Sequence, residues 1–210
     1  MRPGKIFLLA TVVLITTPTI AQLKLGLKVS PNLSVNRVET TSDSVSVDGG
    51  GTAVRFAIGP IADYEIRENY FISSGLLFVS KRVGLSGGTE TAEFIPASYN
   101  LQYLQIPLTL KLFTNEVALD KKLFFQLGGT LDFLINQEKD DKLLVEDFLF
   151  FDATLLIGMG LEYKVGLNTI VFGGFSYNRG LINAVNEHAP IGGDLSVKND
   201  YISLDLGIKF

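Results

Sequence analysis

At 210 residues the chain has the length of one domain, and 47% of its residues are hydrophobic, enough to fill a core of that size. Only 19% are charged, against about 25% in soluble domains, while 21 Gly, 15 Phe and 7 Tyr favour strands and close packing. A net charge of -4 argues against a nucleic-acid partner, and the lack of Cys excludes disulfides, thiolate metal sites, Cys nucleophiles and a lipid-modified Cys.

Residues 1–21 read as an export signal. Arg2 and Lys5 give a positive start, Ile6 opens an apolar stretch ending near Ile15, and Thr19 and Ala21 are small residues at a cleavage site. The apolar stretch is shorter than the roughly 20 residues a membrane-spanning helix needs, and Pro18 interrupts it. Cleavage near Ala21 leaves a mature domain of residues 22–210, and losing two cations takes its formal charge from -4 to -6. Every later apolar stretch is broken by charge or Gly, so no helical anchor is expected.

From there the dominant pattern has a period of two residues. In chain order, Leu23, Leu25, Leu27 and Val29 oppose Lys24, Gly26, Lys28 and Ser30, and Val54, Phe56, Ile58, Ala62 and Tyr64 oppose Arg55, Ala57, Gly59, Asp63 and Glu65. Residues 70–82 alternate less cleanly. Leu104, Ile106, Leu108, Leu110 and Leu112 then oppose Tyr103, Gln105, Thr109 and Lys111. Leu123, Phe125, Leu127, Leu131 and Phe133 oppose Gln126, Gly128, Thr130 and Asp132, with Phe124 and Leu134 blurring the polar side. Ala153, Leu155, Ile157, Met159, Leu161 and Tyr163 oppose Asp152, Thr154, Gly158, Gly160, Glu162 and Lys164, with Leu156 the one intruder. Residues 169–179 are again less regular. The last strand is the cleanest: Ile202, Leu204, Leu206, Ile208 and Phe210 against Tyr201, Ser203, Asp205, Gly207 and Lys209.

Eight strands result, and their connections alternate in length. Those near 67–69, 115–121 and 165–168 are short, whereas 37–51, 84–98, 136–151 and 180–200 are long and polar. A soluble β-sandwich or lipocalin-like barrel also alternates, with its apolar face inward. The export signal, the short/long alternation and six tyrosines near strand ends (Tyr64, Tyr70, Tyr99, Tyr163, Tyr177 and Tyr201) favour the inverted case. The expected fold is all-β: an eight-stranded antiparallel up-and-down transmembrane β-barrel in the outer membrane, with short turns toward the periplasm and an interfacial tyrosine girdle. Pro60 and Pro107 interrupt this scheme, because each removes a ladder hydrogen bond from a proposed strand.

The run from Leu23 to Ser34 (LKLGLKVSPNLS), the stretch from Tyr103 to Lys111 (YLQIPLTLK) and the terminal Phe210 resemble the PorT-like outer-membrane β-barrel proteins. The resemblance spans the mature chain, and its Tyr-Leu-x-Ile-Pro-Leu run includes Pro107. It implies a small barrel in the outer membrane and, for the name-giving member, a role in protein secretion and gliding. It also implies that Phe210 serves as a terminal signal read by the barrel assembly machinery.

The polar faces carry Lys24, Lys28, Arg55, Asp63, Glu65, Lys81, Lys111, Asp132, Asp152, Glu162, Lys164, Asp205 and Lys209, a near balance of signs. An eight-stranded barrel has room inside only for side chains, so these are expected to pair across the lumen, with a narrow ion or solute path as the alternative. His188 is the one histidine, with Ser176, Ser196 and Ser203 nearest along the chain, but no nucleophile motif accompanies it. Glu138, Asp140, Asp141, Glu146, Asp147 and Asp152 lack calcium-loop spacing and are interleaved with Lys139 and Lys142. The Gly158 to Gly160 run lacks the helix of a dinucleotide site. No catalytic residue, cofactor or metal is therefore expected. The expected partners are outer-membrane lipid, the assembly machinery and an envelope protein bound through the outer loops or rim.

Overall fold

Strands rich in Leu, Ile, Val and Phe close a ring in the computed structural model, which describes residues 22–40, 45–49, 51–89, 92–93, 97–139, 145–188 and 195–210. The export segment 1–21 lies outside them. The strands are β1 (Leu23–Thr40), β2 (Val45–Gly49), β3 (Ala53–Arg67), β4 (Tyr70–Gly75), β5 (Leu77–Thr89), β6 (Ala92–Glu93), β7 (Ala97–Ala118), β8 (Lys121–Lys139), β9 (Val145–Phe148), β10 (Phe151–Lys164), β11 (Ile170–Gly180), β12 (Val185–His188) and β13 (Leu195–Lys209). Going round, β1 pairs with β13, then β11, β10, β8 and β7; β7 pairs with β4 and β5, these with β3, and β3 with β1 again. Every pairing is antiparallel, and β4 with β5 forms one wall, so the ring has eight staves.

The parity of the side chains is inverted relative to a soluble protein. Along β13, Ile202, Leu204 and Leu206 are exposed while Tyr201, Ser203, Asp205 and Lys209 are buried. The same holds on β1, β3, β7, β8 and β10, where Leu27, Phe56, Leu108, Leu127 and Ile157 lie outside. A band of apolar side chains thus surrounds a polar interior, the arrangement that hydrocarbon demands outside and side-chain packing demands inside. The residues that blur the alternation resolve inward. Phe124 and Leu156 are buried, and Leu134 packs against an interior apolar cluster.

At one end, the turn end, two hairpins use the same device. Asn69 (φ 65°) and Asp120 (φ 59°) take left-handed conformations that Asn and Asp tolerate, and the ladders shift register across Ile66 and Val117. At the other, the loop end, the structure departs from the sequence expectation. The regions read as long loops carry much strand: β1, β5, β7 and β8 continue past the apolar band, and β2, β6, β9 and β12 lie within those regions. Backbone pairing needs no apolar alternation once the chain leaves lipid, so Gly, Ser and Thr sequences such as that around Leu85 continue the ladder.

The tyrosines also divide. Tyr64, Tyr70, Tyr163 and Tyr177 are exposed on the outer surface, whereas Tyr99 and Tyr201, expected in the girdle, are buried inside the barrel. Both prolines fall at the interruption between β4 and β5. Pro60 O accepts from Leu76 N (3.0 Å), and Pro107 O accepts from Ser74 Oγ (2.8 Å). A residue's N and O point to the same side of a strand, so both donorless nitrogens aim at the one place where the wall is broken.

The lipid-facing assignment of β13 sets a test. Leu206→Arg should destabilise the barrel by about 2–4 kcal/mol in urea-titrated refolding into lipid vesicles, whereas Leu167→Arg in an exposed turn should stay within about 0.5 kcal/mol. Equal tolerance at both positions would reverse the faces.

Candidate functional site

The interior is organised in layers. Nearest the loop end is an apolar cluster of Val83, Tyr99, Leu101, Tyr103, Phe148, Ala184, Val185 and Val197. Phe148 and Val185 come from β9 and β12, which pair as a separate two-stranded sheet. Ala184 N donates to Val197 O (2.8 Å), and Asn183 Oδ1 accepts from Val197 N (2.8 Å), tying this sheet to β13. The Phe148 ring meets Tyr99 edge-on at 5.4 Å. The sequence had this region as polar loop; its apolar residues instead form an inward cap. His188 sits in β12 with its backbone opposite Val145, not in an irregular loop, and Ser176 and Ser203 are buried in the wall.

Below the cap lies the first ionic layer. Lys81 Nζ is 2.6 Å from Asp132 Oδ2 and 3.2 Å from Asp152 Oδ2, with all three side chains buried. The second oxygen of Asp132 accepts from Gln105 Nε2 (2.8 Å) and Thr130 Oγ1 (2.9 Å), and Asn199 Nδ2 donates to Asp152 (3.2 Å). Tyr103 and Tyr201 present their rings to the Lys81 ammonium at 4.7 and 5.4 Å. One lysine thus serves two carboxylates on neighbouring strands, and the aromatic faces supply the remaining attraction. Asp152, read with the acidic loop, belongs to this layer; Asp140 and Asp141 lie outside the described residues.

The second layer lies toward the turn end. Asp63 accepts from Ser73 Oγ (2.5 Å) and pairs with Lys111 Nζ (3.0 Å) and with Lys209, which also pairs with Glu162. Phe113, Phe124 and Phe172 close around these ammoniums, with Lys111 5.2 Å from the Phe124 centroid and Lys209 5.1 Å from Phe172. Between the layers, Lys28 pairs with Asp205 (3.0 Å), which also accepts from Ser30 Oγ (2.7 Å). Arg55 donates to Asn100 Oδ1 (2.5 Å). Among the described residues, five cations (Lys28, Arg55, Lys81, Lys111, Lys209) and five carboxylates (Asp63, Asp132, Asp152, Glu162, Asp205) therefore share the interior.

Lys24 and Glu65 are placed elsewhere. They line a vestibule of ≈ 610 Å³ at the turn end with Phe71, Glu116, Lys122 and Lys164, and Lys24 Nζ lies 4.8 Å above the Phe71 ring. Lys209 and Glu162 form part of its lining, so the lower ionic layer is its floor. Midway up the lumen a cavity of ≈ 30 Å³ adjoins Lys28, Ser73, Gln126 and Asp205, room enough to hold water.

A ring of eight antiparallel staves with apolar side chains outside is what hydrocarbon imposes, and the family comparison agrees. A sequence model described as outer membrane protein beta-barrel domain matches residues 20–186. The chain belongs to this family. It is accordingly an outer-membrane protein. No curated protein matches it in sequence. Among solved structures it is similar to the outer membrane protein OprG of Pseudomonas aeruginosa, at 8% identity and a TM-score of 0.59, covering 90% of this chain and 96% of that one. It is also similar to Neisserial surface protein A, at 11% identity and a TM-score of 0.48, again covering 90% and 96%. At such identities OprG speaks for the fold alone.

For a member of this family the ionic layers set a measurable hierarchy. Lys81→Met leaves Asp132 and Asp152 buried without their cation and should cost about 3–5 kcal/mol. Lys28→Met should cost less, because it strips one carboxylate of its cation rather than two and Lys28 is itself less buried than Lys81. Urea unfolding from lipid vesicles would order the two, and a reversed order would mean that the lower half of the lumen, not the Lys81 layer, holds the barrel together.

Proposed function

We propose that this chain is a non-enzymatic barrel with a side-chain-filled lumen, serving as a structural or interaction component of the envelope. The observation that carries this reading is the double closure of the lumen. The apolar cap that includes Phe148 and Val185 lies at the loop end, and charge-paired layers around Lys81 and Asp63 fill the barrel beneath it. In a lumen filled this way, the surfaces left for work are the loop end, the turn-end vestibule and the lipid-facing wall. An accessory role in protein secretion is the finer form of this reading, supported by the resemblance of the Tyr103 to Lys111 stretch to PorT-like proteins. Its test is copurification: mild-detergent extraction from the native membrane should bring down a defined envelope protein in fixed ratio, and recovery of the barrel alone would sink that form.

A second reading, a narrow path for ions or small solutes, draws on one feature. Both amide atoms of Asn32, the Ser176 hydroxyl and the Asn178 carbonyl oxygen are buried without a hydrogen-bond partner among the described residues, which suits an internal file of water. Planar bilayers separate the readings. We expect no unitary conductance from the intact protein, and steady, resolvable steps would replace the filled barrel with a pore.

Residues 1–21 act in this proposal as a cleaved export signal, so the membrane-extracted protein should have the mass of a chain beginning at Gln22. Phe210 is proposed as the assembly signal: its side chain is exposed while its backbone N donates to Leu25 O (2.8 Å). Deleting Phe210 should leave refolding into vesicles nearly unchanged but lower assembly in cells severalfold. Parallel losses in both assays would assign Phe210 a purely structural role.

A further inference from the structure

We propose that the outward-facing rim of β1, β11 and β13 at the loop end holds the phosphate of an outer-leaflet glycolipid headgroup. Strand register gathers the residues. Arg37 on β1 lies opposite Lys198 on β13, and Val35 lies opposite Asp200. On the other side of β13, Gly180 N donates to Asp200 Oδ1 (2.8 Å), which brings Arg179 alongside; Arg179 is exposed, between the buried Asn178 and Gly180. Three cations thus share this rim with one carboxylate among the described side chains.

That carboxylate positions the others. Asp200 Oδ2 lies 3.3 Å from Arg37 Nη1 and accepts from the Tyr177 hydroxyl at 3.3 Å, while Arg37 Nη2 donates to Gly180 O (3.1 Å). The Arg37 guanidinium is therefore held by two strands rather than left to rotate in solvent, and Tyr177 bridges the cluster to the apolar band. Immediately toward the turn end on the same staves stand Val35, Phe175 and Ile202, all exposed to lipid. Cations at the edge of hydrocarbon are costly unless a counter-charge meets them there, and lipid phosphate is the counter-charge available at that depth. Guanidinium forks match phosphate oxygens geometrically, and a lysine beside them adds a point charge. The turn-end vestibule is charged differently. It sets Lys24, Lys122 and Lys164 among Glu65, Glu68, Glu116 and Asp120, so its mouth carries no cationic excess.

The inference does not depend on secretion or on a protein partner. It is tested with Arg179→Gln/Lys198→Gln, which leaves the Arg37–Asp200 pair in place, and with Lys122→Gln/Lys164→Gln as a control of equal charge change at the far rim. Each folded barrel, checked by heat-modifiable migration, is titrated in micelles with phosphorylated lipid A, with the same lipid after dephosphorylation, and with inorganic phosphate as competitor, and bound lipid is counted by native mass spectrometry. We expect the phosphorylated lipid to bind the wild type and the control alike and the Arg179/Lys198 variant at least tenfold more weakly, with the dephosphorylated lipid matching that loss. Equal binding by wild type and rim variant, or equal binding of both lipids, would overturn the site. Displacement by equimolar inorganic phosphate would overturn the lipid as its source.

Discussion

Within hydrocarbon no water is available to a backbone amide or carbonyl, so a sheet can cross only if every strand has a partner on both sides. Here that condition is met by β1, which pairs with β13 along one edge and with β3 along the other. Everything else follows from this closure. Eight staves enclose a lumen about wide enough for side chains to fill, so inward-pointing charges are met mainly by other side chains. The chain meets the demand by setting charges of opposite sign at matching heights on different strands. Asp63, Lys111, Glu162 and Lys209 come from β3, β7, β10 and β13, residues far apart in sequence that only ring closure brings together. Closure and the charge network therefore depend on each other: an open sheet would leave these groups without partners.

The wall also contains a deliberate interruption. β4 and β5 are one stave that stops at Leu76 and resumes in the same register, since Ile61 opposite Gly75 and Ile58 opposite Phe78 continue a single count. Pro60 flanks the gap on one side and Pro107 on the other, so two missing donors are concentrated at a single break instead of weakening two separate ladders. The backbones approach closely there. A Cβ at Gly59 would lie 2.1 Å from Leu76 O, and one at Gly75 would lie 2.6 Å from Pro60 O. Prolines and glycines that look like strand breakers in sequence are thus one local construction, and it leaves side-chain parity intact on either side.

That preserved parity explains which parts of the molecule could be read from the residues alone. β1, β3, β7, β8, β10 and β13 show their faces in sequence because one face is apolar and the other polar. The β4–β5 stave does not, because Phe71, Leu77, Val79 and Val83 point inward while Ile72 and Leu76 point outward, making both faces apolar. Lys81 is the inward charge on that stave and holds two carboxylates, yet its weight was hidden by the apolar residues around it. The cap was missed for a related reason. Residues 136–151 contain the apolar runs Leu143 to Val145 and Phe148 to Phe151, but the acidic residues among them made the segment read as a solvated loop. Heights within the lumen were not legible at all: parity says that Lys24, Glu65 and Lys209 face the same way, and only register separates the vestibule from the buried layer.

The same layering bears on why a barrel of this size would keep so many charges where apolar side chains would fill the space. A buried ion pair gains little over well-packed hydrocarbon, but losing one partner is costly, so a register slip that moved any stave by one residue would strand several charges at once. An apolar lumen would penalise such slips far less, because both faces of each strand would then look alike to the fold. In water, register is enforced by the contrast between core and solvent; in a bilayer the outside is already apolar, and the contrast must come from within. The ionic layers around Lys81 and Asp63 provide it, and the apolar cap can sit above them because by Val83 and Tyr99 the strands have passed beyond the outer apolar band, where water restores the ordinary contrast.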